Sequence, residues 1–157
     1  MKLTEILNEY GIKINLEAEE KMESIEELID HLISEHEISM RDRDEIIDAV
    51  FTRERSISTG VGEGVAIPHG SIECVDEIVG AIGLSTNGIE FDSFDGEPVY
   101  IVLLLLVPKT SFGKHIKTLA HISRTLSKPG IRYMMRSADS PEQVFELIET
   151  AEQELGL

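Results

Sequence analysis

The chain has 157 residues, a length for one domain, and its 41 % hydrophobic content is enough for a real core. Fourteen Lys and Arg against thirty Asp and Glu leave a net charge of −16, which argues against a general binder of nucleic-acid phosphates and suits a basic-faced protein partner or plain solubility. The single cysteine, Cys74, excludes a disulfide framework and a four-cysteine zinc site.

Met1-Lys2 leads into Leu3-Thr4-Glu5-Ile6 without the apolar stretch of a secretory signal. The longest apolar run, Val99 to Val107, falls far short of the ~20 residues a membrane helix needs. A cytoplasmic location without membrane insertion is expected. No repeat, low-complexity tract or flexible linker interrupts the sequence, so residues 1–157 are read as a single domain.

Met22, Ile25, Leu28, Ile29, Leu32 and Ile33 recur at helical spacing and predict an amphipathic helix. Its other faces carry Glu19, Glu20, Glu23, Glu26, Glu27 and Asp30, expected to be solvated. A second helix follows, with Ser39 as N-cap, Ile46, Ile47, Val50 and Phe51 as its stripe, and an end near Arg53 or Glu54. Glycine then punctuates residues 60–70 around the short apolar run Val65-Ala66-Ile67. Strands are predicted over Ile78–Leu84 and Val99–Val107, with a turn at Thr86-Asn87-Gly88 between them. Helices return over about Phe112–Ser127, Ile131–Arg136 and Pro141–Glu154. The last opens on Ser140-Pro141-Glu142-Gln143, with an N-cap, a first-position proline and a capping-box glutamine. Helices, strands, then helices point to an α/β sandwich whose mixed sheet of about five strands is flanked by helices on both sides.

Charge is unevenly spread. Residues Pro98 to Ala138 contain no Asp or Glu, yet hold Lys109, Lys114, Lys117, Arg124, Lys128, Arg132 and Arg136, half of all the basic residues. On a helix, Lys117, His121, Arg124 and Lys128 share one face, and Phe112, His115, Leu119, Ile122 and Leu126 the other. His115 therefore points inward, either as a core histidine or toward a site at the sheet's edge.

Gly60-Val61-Gly62-Glu63-Gly64 is not a dinucleotide fingerprint, because the spacing is GxGxG and Pro68 prevents a helix from starting. The glycines instead allow positive φ and close backbone approach in a loop that lays Val65-Ala66-Ile67 into the sheet. Pro68 restrains Ile67 to an extended conformation, and His69 follows on this stiffened backbone, where an open sheet presents ligand-facing residues. Cys74 has no neighbouring base to activate it and is read as structural. His31 and His36 are read as surface residues. Ser58 and Thr59 either line a pocket or form the turn.

Glu54 followed by Val61-Gly62-Glu63-Gly64-Val65-Ala66-Ile67-Pro68-His69-Gly70 resembles the signature of the fructose/mannitol-type enzyme IIA domain of the bacterial phosphotransferase system, a group that includes the nitrogen-regulatory enzyme IIA proteins. Arg53 ahead of Ser58-Thr59-Gly60, the Leu103–Val107 strand, His115-Ile116 and Ser140-Pro141-Glu142 extend the likeness over nearly the whole chain. The resemblance implies that His69 carries a phosphoryl group, that His115 stabilises it and that Arg53 clamps it, while Glu63 receives no catalytic role.

It further implies acceptance from phospho-HPr or a paralogue and donation to a cysteine of enzyme IIB for sugar uptake. Alternatively, the phosphorylation state regulates partner proteins by binding. A third reading, in which His69 and His115 hold a ligand or metal, has no use for Arg53. The transfer is an in-line displacement in which the protein positions groups and neutralises charge, and it requires no metal or cofactor. One ring nitrogen of His69 must be held so that the other faces out, a task expected of a backbone carbonyl in the glycine loop.

Overall fold

The computed structural model describes residues 1–157. The run over residues 99–108 becomes the spine of the sheet because nearly every side chain along it is apolar. In chain order the helices are α1 (Leu3–Ile6), α2 (Lys21–Ser34), α3 (Arg43–Ser56), α4 (Ile116–Leu126), α5 (Ile131–Arg136) and α6 (Pro141–Glu154). The strands are β1 (Ile12–Lys13), β2 (Gly60–Gly62), β3 (Val65–Ala66), β4 (His69–Ile72), β5 (Val79–Ile89) and β6 (Val99–Pro108). Six strands form one mixed sheet, ordered β1-β5-β6-β3-β2, with β4 continuing the line of β3 beside β6. β5 and β6 are antiparallel, whereas β1 on β5 and both β3 and β4 on β6 are parallel.

Alternate residues of β6 serve opposite faces. Ile101, Leu103, Leu105 and Val107 join a core with α1, α4, α5 and α6, while Val102, Leu104 and Leu106 join a second core with α2 and α3. A strand covered on both faces needs apolar residues at every position, which is why this segment shows no alternation. The expected α/β sandwich is therefore the observed one. No helix is long and apolar enough to cross a membrane.

Several boundaries differ from expectation. The strand expected to stop at Leu84 runs to Ile89, and the residues read as a turn lie inside it, where the register against β6 shifts between Leu84 and Ile89. An irregularity of this kind uses turn-forming residues without reversing the chain. The expected helix from Phe112 is a 3-10 segment over Lys109–His115, kinked at Ser111, and regular α-helix begins only at Ile116. At α6 the Ser140 hydroxyl accepts the Gln143 amide, but the Gln143 side chain accepts from the Asp139 amide, one residue before the N-cap.

The acidic face of α2 is not uniformly solvated. Glu26 and Asp30 hold Arg43, whose guanidinium pKa rises through hydrogen bonds to Asp30 and Glu26. Glu27 accepts from the Glu17 and Ala18 amides and pairs with Lys13; burial opposes its ionised form, but these partners prevail and hold its pKa below the ordinary value.

Candidate functional site

The segment from Thr59 to His69 is where backbone geometry and chemistry meet. Gly62, Glu63 and Gly64 all have positive φ, at 99°, 56° and 83°, and make the tight reversal between β2 and β3. Glu63 tolerates this conformation with its amide donated to Asp95 and its carboxylate paired with Arg132 at 2.7 Å. The reversal delivers Val65 and Ala66 into parallel pairing with Ile101 and Val102 of β6. Ile67 and Pro68 break the line, and the strand resumes at His69, paired with Leu105. His69 thus opens a strand rather than closing one. Its neighbour on the sheet is β6 alone, so the other side of β4 is free of strand pairing.

The ring of His69 is half-buried, and its Nδ1 lies 2.9 Å from the Ile67 carbonyl oxygen. A carbonyl only accepts, so Nδ1 carries a proton, and the ring's lone pair, when it has one, lies at Nε2. The holding group is therefore Ile67, two residues upstream, rather than a carbonyl of the glycine reversal itself. Phe112 lies across the imidazole with ring centroids 6.5 Å apart and planes inclined by 29°.

His115 closes the same 3-10 segment, one turn beyond Phe112, and residues three apart in a 3-10 helix share a side. It is half-buried, and its Nδ1 is buried without a hydrogen-bond partner. Residue 115 thus precedes the regular helix instead of lying along its apolar stripe. His121, placed by spacing on the cationic face, is half-buried, and its Nδ1 also lacks a partner.

Arg53 arrives from the opposite layer. Helix α3 packs on β4, and Arg53 lies one turn beyond Val50, the residue facing Gly70. Its Nη1 donates to the Ile57 carbonyl at 2.8 Å, which leaves other donors of the guanidinium fork unassigned. Helix α3, which carries Arg53, and the 3-10 segment, which carries His115, thus both pack on β4, the strand that His69 opens.

Sequence reasoning missed the role of Glu54. This carboxylate is 2 % exposed and accepts from both the amide and the hydroxyl of Thr59, with Lys21 Nζ at 3.4 Å. Its place at a fixed interval before the glycine segment was the available signal. Ser58 and Thr59 are both anchored by their side chains: Ser58 donates its hydroxyl to the Phe91 carbonyl at 2.9 Å, and Thr59 is tied to Glu54. His31 is not a free surface residue, since its Nε2 donates to the Tyr10 carbonyl at 2.7 Å. His36 is exposed at the end of α2, with φ 60°. Burial pushes the Cys74 thiol up to about 11, aided by Glu45, so it is a poor nucleophile.

Fold and sequence together define an enzyme IIA domain: residues 5–151 match the family described as phosphoenolpyruvate-dependent sugar phosphotransferase system, EIIA 2, and the chain belongs to that family. Its relatives include both nitrogen-regulatory and sugar-specific proteins. It is 30 % identical over 155 residues to the nitrogen regulatory protein of Escherichia coli K12, covering 97 % of this chain and 92 % of that protein. It is 32 % identical over 148 residues to the fructose-specific EIIABC component of Bacillus subtilis, covering 94 % of this chain but 23 % of that longer protein. The nitrogen regulatory protein IIA-Ntr of Neisseria meningitidis superposes with a TM-score of 0.83 at 32 % identity, over 93 % of this chain and 98 % of that one.

Proposed function

We propose that the protein is a cytoplasmic phosphohistidine carrier, accepting a phosphoryl group from phospho-HPr or a paralogue on His69 and passing it to a cysteine of enzyme IIB during sugar uptake. The observation that carries this reading is the hydrogen bond from His69 Nδ1 to the Ile67 carbonyl, which leaves Nε2 as the nucleophile. In acceptance, the Nε2 lone pair forms a bond to phosphorus while the donor's nitrogen–phosphorus bond breaks and its electron pair returns to the donor. In donation, a thiolate attacks the same phosphorus and Nε2 recovers its pair. Arg53 binds phosphoryl oxygens with its planar fork, and His115 donates to the charge that builds on the transferring group. Phe112 shields the phosphohistidine from water.

The same chemistry serves a regulatory carrier whose phosphorylation state selects its binding partners. The likeness to nitrogen regulatory proteins from Escherichia coli and Neisseria meningitidis supports this second reading. Phosphoenolpyruvate, enzyme I and HPr are expected to add one acid-labile, base-stable phosphoryl group on His69. Stoichiometric labelling of His69→Ala would overturn the assignment. Discharge by enzyme IIB supports uptake; a phosphorylation-dependent partner with no discharge supports regulation.

A further inference from the structure

We propose that Glu54 is a positioning residue for His69, setting the tautomer of the ring through Thr59 and Ile67. The inference rests on the reading of His69 as the phosphoryl acceptor and extends it to a side chain that never touches the phosphoryl group.

The chain of contacts is continuous. The Glu54 carboxylate takes the Thr59 amide at 2.8 Å and the Thr59 hydroxyl, and Lys21 Nζ stands 3.4 Å from Oε2. Three donors converge on it, and an acceptor-only group with two oxygens satisfies them all. With Thr59 held, its carbonyl accepts the Ile67 amide at 3.1 Å. Ile67 is then fixed at its own N–H and restrained on its other side by the Pro68 ring, whose carbonyl accepts the Leu105 amide at 3.0 Å. The Ile67 carbonyl has little freedom left, and it is the group that accepts His69 Nδ1–H at 2.9 Å. A buried carboxylate on α3 thereby decides which ring nitrogen keeps its lone pair.

The same loop serves Arg53. Ile57, two residues before Thr59, accepts Arg53 Nη1 at 2.8 Å, and Ser58 between them is tied to Phe91. Fixing Thr59 therefore steadies both the nucleophile and the cation that stands next to Glu54 in the sequence. A carboxylate that merely filled a buried corner would cost stability on removal but leave the ring of His69 unchanged. A positioning carboxylate changes the ring.

The test reads ring nitrogens by 15N NMR on the unphosphorylated protein, alongside rapid-quench phosphoryl acceptance from phospho-HPr. The parent is expected to hold one tautomer, with a proton on Nδ1. Glu54→Gln places an amide donor against the Thr59 donors. It is expected to give mixed tautomers and acceptance slower by about 10- to 100-fold, the scale on which a misplaced reacting group loses rate. Thr59→Val, which removes only the hydroxyl, shifts both readouts the same way, and Thr59→Ser restores them. A folded Glu54→Gln protein with the parental tautomer and rate overturns the proposal. If that variant fails to fold, parental behaviour in Thr59→Val overturns it instead. A parent protein that accepts no phosphoryl group refutes the carrier reading, while the tautomers still decide the role of Glu54.

Discussion

Val50 Cγ2 stands 3.0 Å from the point where a β-carbon on Gly70 would lie, so α3 and β4 meet so closely that any larger residue at position 70 must displace Val50 by a few tenths of an ångström. Gly70→Ala is expected to lower stability by about 1–3 kcal/mol, the usual cost of overpacking, as α3 is pushed off the strand that carries His69. Urea melts check it, and an unchanged midpoint would show that Val50 yields without cost.

Arg53→Ala is expected to slow both acceptance and donation while leaving the urea midpoint within about 0.5 kcal/mol of the parent, as for a surface change. The reason is that Arg53 contributes a fork of charged donors and one hydrogen bond to Ile57, with no packed apolar surface at the core. Unchanged transfer rates in both directions would remove it from the site.

His115→Gln keeps a hydrogen-bonding side chain but cannot become cationic. Since Nδ1 of His115 has no partner to forfeit, stability should barely move. Transfer should fall about 10²-fold if His115 supplies about 2.7 kcal/mol to the transition state. A destabilised variant that still transfers at the parental rate would place His115 in the core.

The sequence carried the layer order because periodicity and glycine punctuation are local signals. β6 was legible from an uninterrupted apolar run between two prolines, and α6 from Ser140 and Pro141. What it could not carry were effects decided across the fold. Thr86-Asn87-Gly88 has turn chemistry, yet pairing with β6 absorbs it as an irregularity within β5. Spacing placed His115 on a helix whose regular part begins one residue later. The resemblance singled out His69, Arg53 and His115, but the link from Glu54 to Thr59 and on to Ile67 is complete only once β2 pairs with β3 beyond the end of α3.

The Cys74 thiol gives a pH-dependent prediction. Its pKa is pushed from an ordinary 9.0 up to about 11, first by burial and then by Glu45. The folded state therefore favours the neutral thiol. This contribution to stability is fully present below pH 9.0 and is lost as pH rises through about 11. Disulfide-reagent labelling of native protein should lag far behind urea-unfolded protein at pH 8 to 9. Equal rates would show an unshifted thiol.

Glu152 joins α6 to α1: it is 2 % exposed and accepts the Leu3 amide and the Thr4 hydroxyl, each at 2.6 Å. Glu152→Ala strands both donors and is expected to cost about 1–3 kcal/mol, with faster hydrogen exchange in α1 and α6 than in β6. Transfer by the folded protein should persist, because neither helix carries a group assigned to the site.

The sheet's mixed pairing also sets an order of assembly. β5 and β6 are neighbours in the chain and antiparallel, so they close over residues 90–98 at small entropic cost. The parallel partners, Ile12 with Ile82 and His69 with Leu105, close over longer stretches of chain and are expected to dock after the β5–β6 hairpin has formed. The strand that opens at His69 is therefore expected to arrive late on a preformed template, and a chain paused before that step would have its hydrophobic spine laid down with β4 still undocked.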